Sequence, residues 1–171
     1  MNMSKIAMGA CCLSLTGCVL SHSSYPATWP SPVKAAGIDC PDLSGRYQNA
    51  PTPAQSKGGP FLYDELTNEG MLGSHECEYC EVQLQWLDET HDALRVRLLP
   101  NDEVETLRRS RGEFDCRDGG LTVALAGGAT DIALTVVNWG HVTFWLAQDG
   151  SLVAHFKGQL AGTWYCQVRR A

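Results

Sequence analysis

The chain is 171 residues long, 44% hydrophobic and 19% charged, which is a globular composition and a length for one domain with its own core. A net charge of −6, from 13 Lys and Arg against 19 Asp and Glu, argues against a nucleic-acid binder, which carries a basic stripe. No apolar run reaches the ~18–20 residues that cross a bilayer as a helix. In chain order, Met1–Lys5 is a short, mildly basic start, and Ile6–Leu15 is uncharged and rich in Ala, Cys, Leu and Met. That order of a basic and then an apolar region reads as a secretory signal over residues 1–17.

The signal runs into Leu15-Thr16-Gly17-Cys18, an aliphatic residue, two small residues and a cysteine. This string resembles the lipobox of bacterial lipoproteins. The resemblance implies a diacylglycerol on the Cys18 sulfur, cleavage before Cys18 and acylation of the new amino group, typically with palmitate-like chains. Each buried methylene contributes ~0.8 kcal/mol, so several acyl chains anchor stably where one is marginal. Val19, in place of the Asp that favours inner-membrane retention, implies the outer membrane, with the domain on the periplasmic side. The alternative is an ordinary signal peptide cut at a small-residue site near Gly9-Ala10 or Gly17.

Residues 18–38 then form the lipidated end and a Pro/Ser-rich stretch. Pro26, Pro30 and Pro32 predict an extended tether with no core of its own, reaching roughly 60 Å over twenty residues at ~3.1 Å each. Trp29 reads as a solvated or interfacial side chain. The folded domain is expected over 39–171.

Within it, Asp42–Tyr47 is a turn leading into a short strand, and Ala50–Pro60 is a Pro/Gly-rich loop. Phe61–Asn68 places Phe61, Leu62 and Leu66 near one helical face, predicting one short helix near 61–70 that ends at Gly70 or Gly73. Asp64, Glu65 and Glu69 read as its wet face. Alternation with period two follows at Val82–Trp86, Leu94–Leu98, Leu121–Leu125, Ile132–Val136, Val142–Leu146, Leu152–Phe156 and Trp164–Val168. Asn101-Asp102, Asp118-Gly119-Gly120, Gly127-Gly128, Asn138-Trp139-Gly140 and Asp149-Gly150 punctuate them. Asp149-Gly150 is the strongest hairpin signal, read as a two-residue turn. The expected fold is mainly β, an antiparallel sandwich or up-and-down barrel with one short helix.

Gly45-Arg46-Tyr47 and Gly162-Thr163-Trp164 resemble the Gly-x-aromatic strand starts of lipocalin-like barrels. Cys40-Pro-Asp-Leu-Ser-Gly-Arg-Tyr47 is similar to the start of the mature domain in various proteobacterial envelope lipoproteins, a likeness that implies no activity.

Cys11 and Cys12 fall inside the signal. With Cys18 lipidated, Cys40, Cys77, Cys80, Cys116 and Cys166 remain. Export makes disulfides the default, and an odd number leaves one thiol over. A long-range bridge among Cys40, Cys116 and Cys166 is favoured; the pairing stays open. Cys77-Glu78-Tyr79-Cys80 is the one motif that invites chemistry. A redox site needs an exposed low-pKa thiolate, and Glu76, Glu78 and Glu81 oppose it. Zinc would have His75, Cys77 and Cys80 but lacks a second Cys-x-x-Cys.

His75-Glu76 is not followed by a second His at position 79, which is Tyr. No Gly-x-Ser-x-Gly elbow, phosphate loop or dinucleotide fingerprint occurs. His141 and His155 fall on the polar phase of neighbouring strands and read as solvent-side. Asp88, Glu89 and Asp92 crowd a turn without calcium-loop spacing. Arg108, Arg109 and Arg111, with Arg169 and Arg170, read as solvated basic residues or a contact for lipid phosphate or an acidic partner. The expectation is a non-enzymatic domain with neither cofactor nor metal, contacting the membrane through Cys18 and an envelope protein or an apolar ligand through its β domain. The alternative is a periplasmic thiol-redox or metal-binding protein using Cys77 and Cys80.

Overall fold

The computed structural model describes residues 24–33, 39–50, 61–67, 79–125, 140–158 and 162–171. Its strands are β1 (Pro32–Val33), β2 (Gly45–Gln48), β3 (Glu81–Trp86), β4 (Ala93–Leu99), β5 (Glu103–Arg108), β6 (Asp115–Arg117), β7 (Gly120–Leu125), β8 (Gly140–Ala147), β9 (Leu152–Gly158) and β10 (Gly162–Val168), with one α-helix, α1 (Leu62–Thr67). They form two antiparallel sheets, β2-β3-β4-β5 and β10-β9-β8-β7-β6, the second extended by β1 on β8. The mainly β, two-sheet architecture with one short helix is the fold class that the alternation implies. The predicted strand at Ile132–Val136 lies outside the described residues, as do Gly70 and Gly73.

Both sheets are meanders, and they meet along one edge. Past β10, Arg170 bridges to Tyr47 of β2, Gln48 N–H donates to Arg169 O at 2.9 Å, and Ala171 N–H donates to Arg46 O at 2.9 Å. The C-terminal residues therefore continue the second sheet onto the first. Between the sheets lies one apolar cluster, with Val82, Leu84, Leu94, Val96 and Leu98 from one and Leu121, Val123, Val142, Phe144 and Leu152 from the other. The period-two apolar residues supply this layer, because successive side chains on a strand point to opposite faces.

The helix occupies Leu62–Thr67 of the expected 61–70, residues 68–70 lying outside the described residues, and it is buried on more sides than expected. Leu62, Tyr63, Asp64 and Leu66 are all buried, so Asp64 is not on a wet face. Among the described residues, the helix start is held from a distance in sequence. Leu62 N–H donates to Asn49 O at 2.8 Å, and Tyr63 N–H donates to Asn49 Oδ1 at 2.9 Å. Fully buried Asn49 at the end of β2 thus satisfies two of the amides that a helix start leaves open.

Strands β5 and β6 escaped the alternation. In Glu103-Val-Glu-Thr-Leu-Arg108 the two apolar residues stand three apart, a helical rather than a strand spacing. Val104 is accordingly 48% exposed while Leu107 is buried. This strand is a sheet edge, where charged residues such as Glu105 discourage pairing with other chains.

The turns differ in one respect from the sequence reading. Arg117 pairs with Gly120, so Asp118 (φ 52°) and Gly119 (φ 72°) form the two-residue turn with both central residues at positive φ. Asp149-Gly150 belongs instead to a three-residue loop, Gln148–Gly150. Gly150 N–H donates to Ala147 O, Ala147 N–H donates to Ser151 O, and Gly150 takes the left-handed position (φ 81°) that closes a turn-plus-bulge.

Candidate functional site

Residues 24–33, expected in a free tether, lie on the outer side of the second sheet. Val33 pairs with Leu146 and Pro32 with Ala147. Gln148 N–H donates to Ser31 O at 3.1 Å. Residues 26–29 close a turn through Trp29 N–H to Pro26 O at 3.0 Å, and the Tyr25 hydroxyl donates to Pro30 O. The segment is thus a turn followed by the short strand β1 rather than extended throughout, and its aromatic rings and β1 dock it.

What it docks on is a row of rings. Register places Thr122, Thr143, His155 and Tyr165 side by side across β7, β8, β9 and β10. His155 stacks on Tyr165 (centroids 4.4 Å, planes 9° apart) and on Trp145 from the adjacent strand (5.5 Å, 22°). The ring of Tyr25 meets Tyr165 edge-on at 5.7 Å, and Trp29 meets Tyr25 edge-on at 5.9 Å. Aromatic contacts of these geometries contribute ~0.5–1.5 kcal/mol each beyond area burial. Val153, which points outward by phase, is also 0% exposed.

Burial and the Lys157 charge hold the His155 imidazole below its ordinary value, and its Nε2 is buried without a hydrogen-bond partner among the described residues. His155 is therefore a packed ring rather than a solvent-side one. His141 is exposed and stands opposite Lys157, so the two histidines do not pair.

The other end of the row rests on Gly120. A Cβ there would lie 2.6 Å from Trp145 Nε1 and 2.7 Å from the Thr143 methyl, because the indole lies across the glycine. Gly120→Ala is expected to displace Trp145 and cost about 1–3 kcal/mol, as overpacking does. Chemical denaturation with near-UV circular dichroism checks this; an unchanged midpoint and an unchanged aromatic spectrum would contradict it.

Trp29 also forms one wall of a polar cleft of about 370 Å³, whose other sides are Thr28, Asp149, Ser151, Gln167, Arg169 and Arg170. Its floor is a hydrogen-bond chain. Gln167 Nε2 donates to Ser151 Oγ at 2.9 Å, and Ser151 donates to Asp149 Oδ1 from its hydroxyl at 2.6 Å and its amide at 3.0 Å. These bonds hold the Asp149 carboxyl below the usual carboxylate range. Arg169 and Arg170 are exposed at the mouth, and among the described residues neither is in an ion pair.

Cys40 and Cys116 form a disulfide across 76 residues, with Cα atoms 5.1 Å apart. Cys80 is buried and disulfide-bonded, and its carbonyl accepts a hydrogen bond from the Asn49 amide at 2.8 Å. Cys166 is buried in β10. Cys18, Cys77, His75, Glu76 and Glu78 lie outside the described residues.

The remaining polar candidates are engaged in local structure. Asp88 accepts from Thr90 Oγ1 and from the amides of Asp92 and Ala93, and Asp92 accepts from the amide and hydroxyl of Ser110. These carboxylates shape the β3–β4 hairpin and tie it to the single helical turn Arg109–Arg111. Arg109 is not a free basic residue, because it and Arg117 both donate to Asp115. Among the described residues, no three metal-ligating side chains cluster.

Sequence reasoning missed the ring row, although its signal is present: one aromatic or imidazole ring on the polar phase of three consecutive strands. Comparison with family models, with curated proteins and with solved structures finds no match to this chain.

Proposed function

We propose that this chain is a lipid-anchored protein of the bacterial envelope, modified on Cys18 and held at the outer membrane, whose β domain binds a partner without catalysing a reaction. The observation that carries this reading is the seating of residues 24–33 on the sheet. A lipidated cysteine six residues before Ser24 gives that docked segment a purpose, since it joins the anchor to the domain through a short connection.

Partner binding on the outer surface fits better than an apolar ligand between the sheets, because the described side chains between the sheets form one continuous cluster. Tyr79, 91% exposed beside buried Cys80, is the kind of projecting ring that anchors protein contacts. A thiol-redox role for Cys77 and Cys80 is less well supported, because Glu76, Glu78 and Glu81 surround the motif in sequence and negative neighbours oppose a thiolate.

Expression in a bacterium with an outer membrane tests the proposal. The full chain is expected in the membrane fraction. Cys18→Ala, with residues 1–17 replaced by a conventional cleavable signal, is expected to move to a soluble fraction, with the folded domain intact by protease resistance. Equal membrane association of both forms would contradict the anchor.

A further inference from the structure

We infer that the cleft walled by Trp29 and the Arg169–Arg170 pair receives the phosphate of a lipid headgroup in the membrane that holds Cys18. The inference rests on the anchor at Cys18 and adds to it an orientation of the domain. Ser24 is six residues from Cys18, and six residues span about 20 Å at most when fully extended. From Tyr25, the next residue, the chain is held to the sheet, so the domain cannot stand off by the length of a free tether. Thr28 and Trp29, four and five residues further along, are walls of the cleft. The cleft thus lies at the root of the anchor.

Its chemistry suits that position. Arg is planar and offers paired donors that match a phosphate. Arg169 and Arg170 are exposed at the mouth and outside any ion pair of the described residues. Asp149, the carboxylate among the cleft's lining residues, is engaged by Ser151 rather than by either arginine. Trp29 is half-buried on the same wall, and Trp side chains favour the headgroup level of a bilayer. A chain of net charge −6 gains no general attraction to an anionic membrane, so a basic contact has to be local.

The test uses the full chain purified from membranes and reconstituted into phosphatidylethanolamine–phosphatidylglycerol vesicles whose acyl chains carry bromine, a quencher of indole fluorescence. Wild type is compared with Trp29→Phe and with Arg169→Gln/Arg170→Gln, and the mass of each N-terminal peptide is measured on the same samples. The expected result is quenching that falls by at least half in either variant, with the thermal midpoint unchanged. Quenching equal in all three proteins overturns the cleft assignment. So does quenching abolished by inorganic phosphate alone, which marks a site for the free ion. If Cys18 carries lipid and Trp29 is not quenched, the cleft inference fails and the anchor stands. If Cys18 carries no lipid, both fail.

Discussion

Replacing Cys40 and Cys116 together by serine is expected to lower stability by roughly 4–5 kcal/mol. The bridge closes a 76-residue loop, and on the chain-entropy account the cost of leaving so long a loop open in the unfolded chain is of that size. Both sulfurs belong to buried residues of the core, so polar replacements add to the loss. For a domain of this size each kcal/mol shifts the melting temperature by about 2–4 °C, which makes a fall of roughly 10–20 °C. Chemical denaturation of the double variant against wild type measures it. The reducing agent alone is a poor substitute, since Cys80 is also disulfide-bonded. A change under about 1 kcal/mol would show that the segment from Cys40 to Leu43 is held without the bridge. That segment has other ties: Trp86 Nε1 donates to Pro41 O at 3.3 Å, and the Tyr47 hydroxyl donates to Leu43 O at 3.1 Å.

Glu65 gives the second large effect, through pH. Burial in α1, with the neighbouring Asp64 charge adding to it, raises its carboxyl from 4.5 to about 7. The folded protein therefore favours the neutral acid, while the unfolded chain ionises near 4.5. The sign follows: stability from this group is full below pH 4.5, declines as pH rises through about 7, and levels off above. At ~1.4 kcal/mol per unit the total is roughly 3 kcal/mol. Glu65→Gln, which keeps the shape without the charge, is expected to match wild type at pH 4 and to exceed it by roughly 2–3 kcal/mol at pH 8. Urea denaturation at the two pH values tests it, and a variant no more stable than wild type at pH 8 would contradict it. His155 acts in the opposite sense. Its folded-state value is lowered, so its contribution is present above 6.5 and declines as pH falls.

The core strands were legible because each has one face against the other sheet, and a one-sided environment writes itself as alternation. Val82–Trp86, Leu94–Leu98 and Val142–Leu146 are of this kind. The edge strand β5 was not legible, since an edge tolerates Glu105 where a central strand needs an apolar residue. Helix α1 was visible as a short apolar cluster, but its start was not. Asn49, which holds it, is thirteen residues earlier and follows a strand end, so the contact that starts the helix is not a local sequence pattern.

The candidate site was hidden for a related reason. Proline content predicts an extended segment over residues 24–33, which shows neither the turn at 26–29 nor whether the segment is free or docked. Docking is decided by Tyr25 against Tyr165 and by Val33 against Leu146, contacts more than a hundred residues apart in sequence. Likewise Arg169 and Arg170 read as a terminal charge pair until the fold sets them beside Trp29 and Gln167.

The most direct measurement is the mass of the N-terminal peptide of the full chain recovered from the membranes of a bacterial host. A peptide that begins at Cys18 and carries a diacylglycerol is the predicted result. A peptide that begins elsewhere, or begins at Cys18 without lipid, would contradict the anchored protein proposed above.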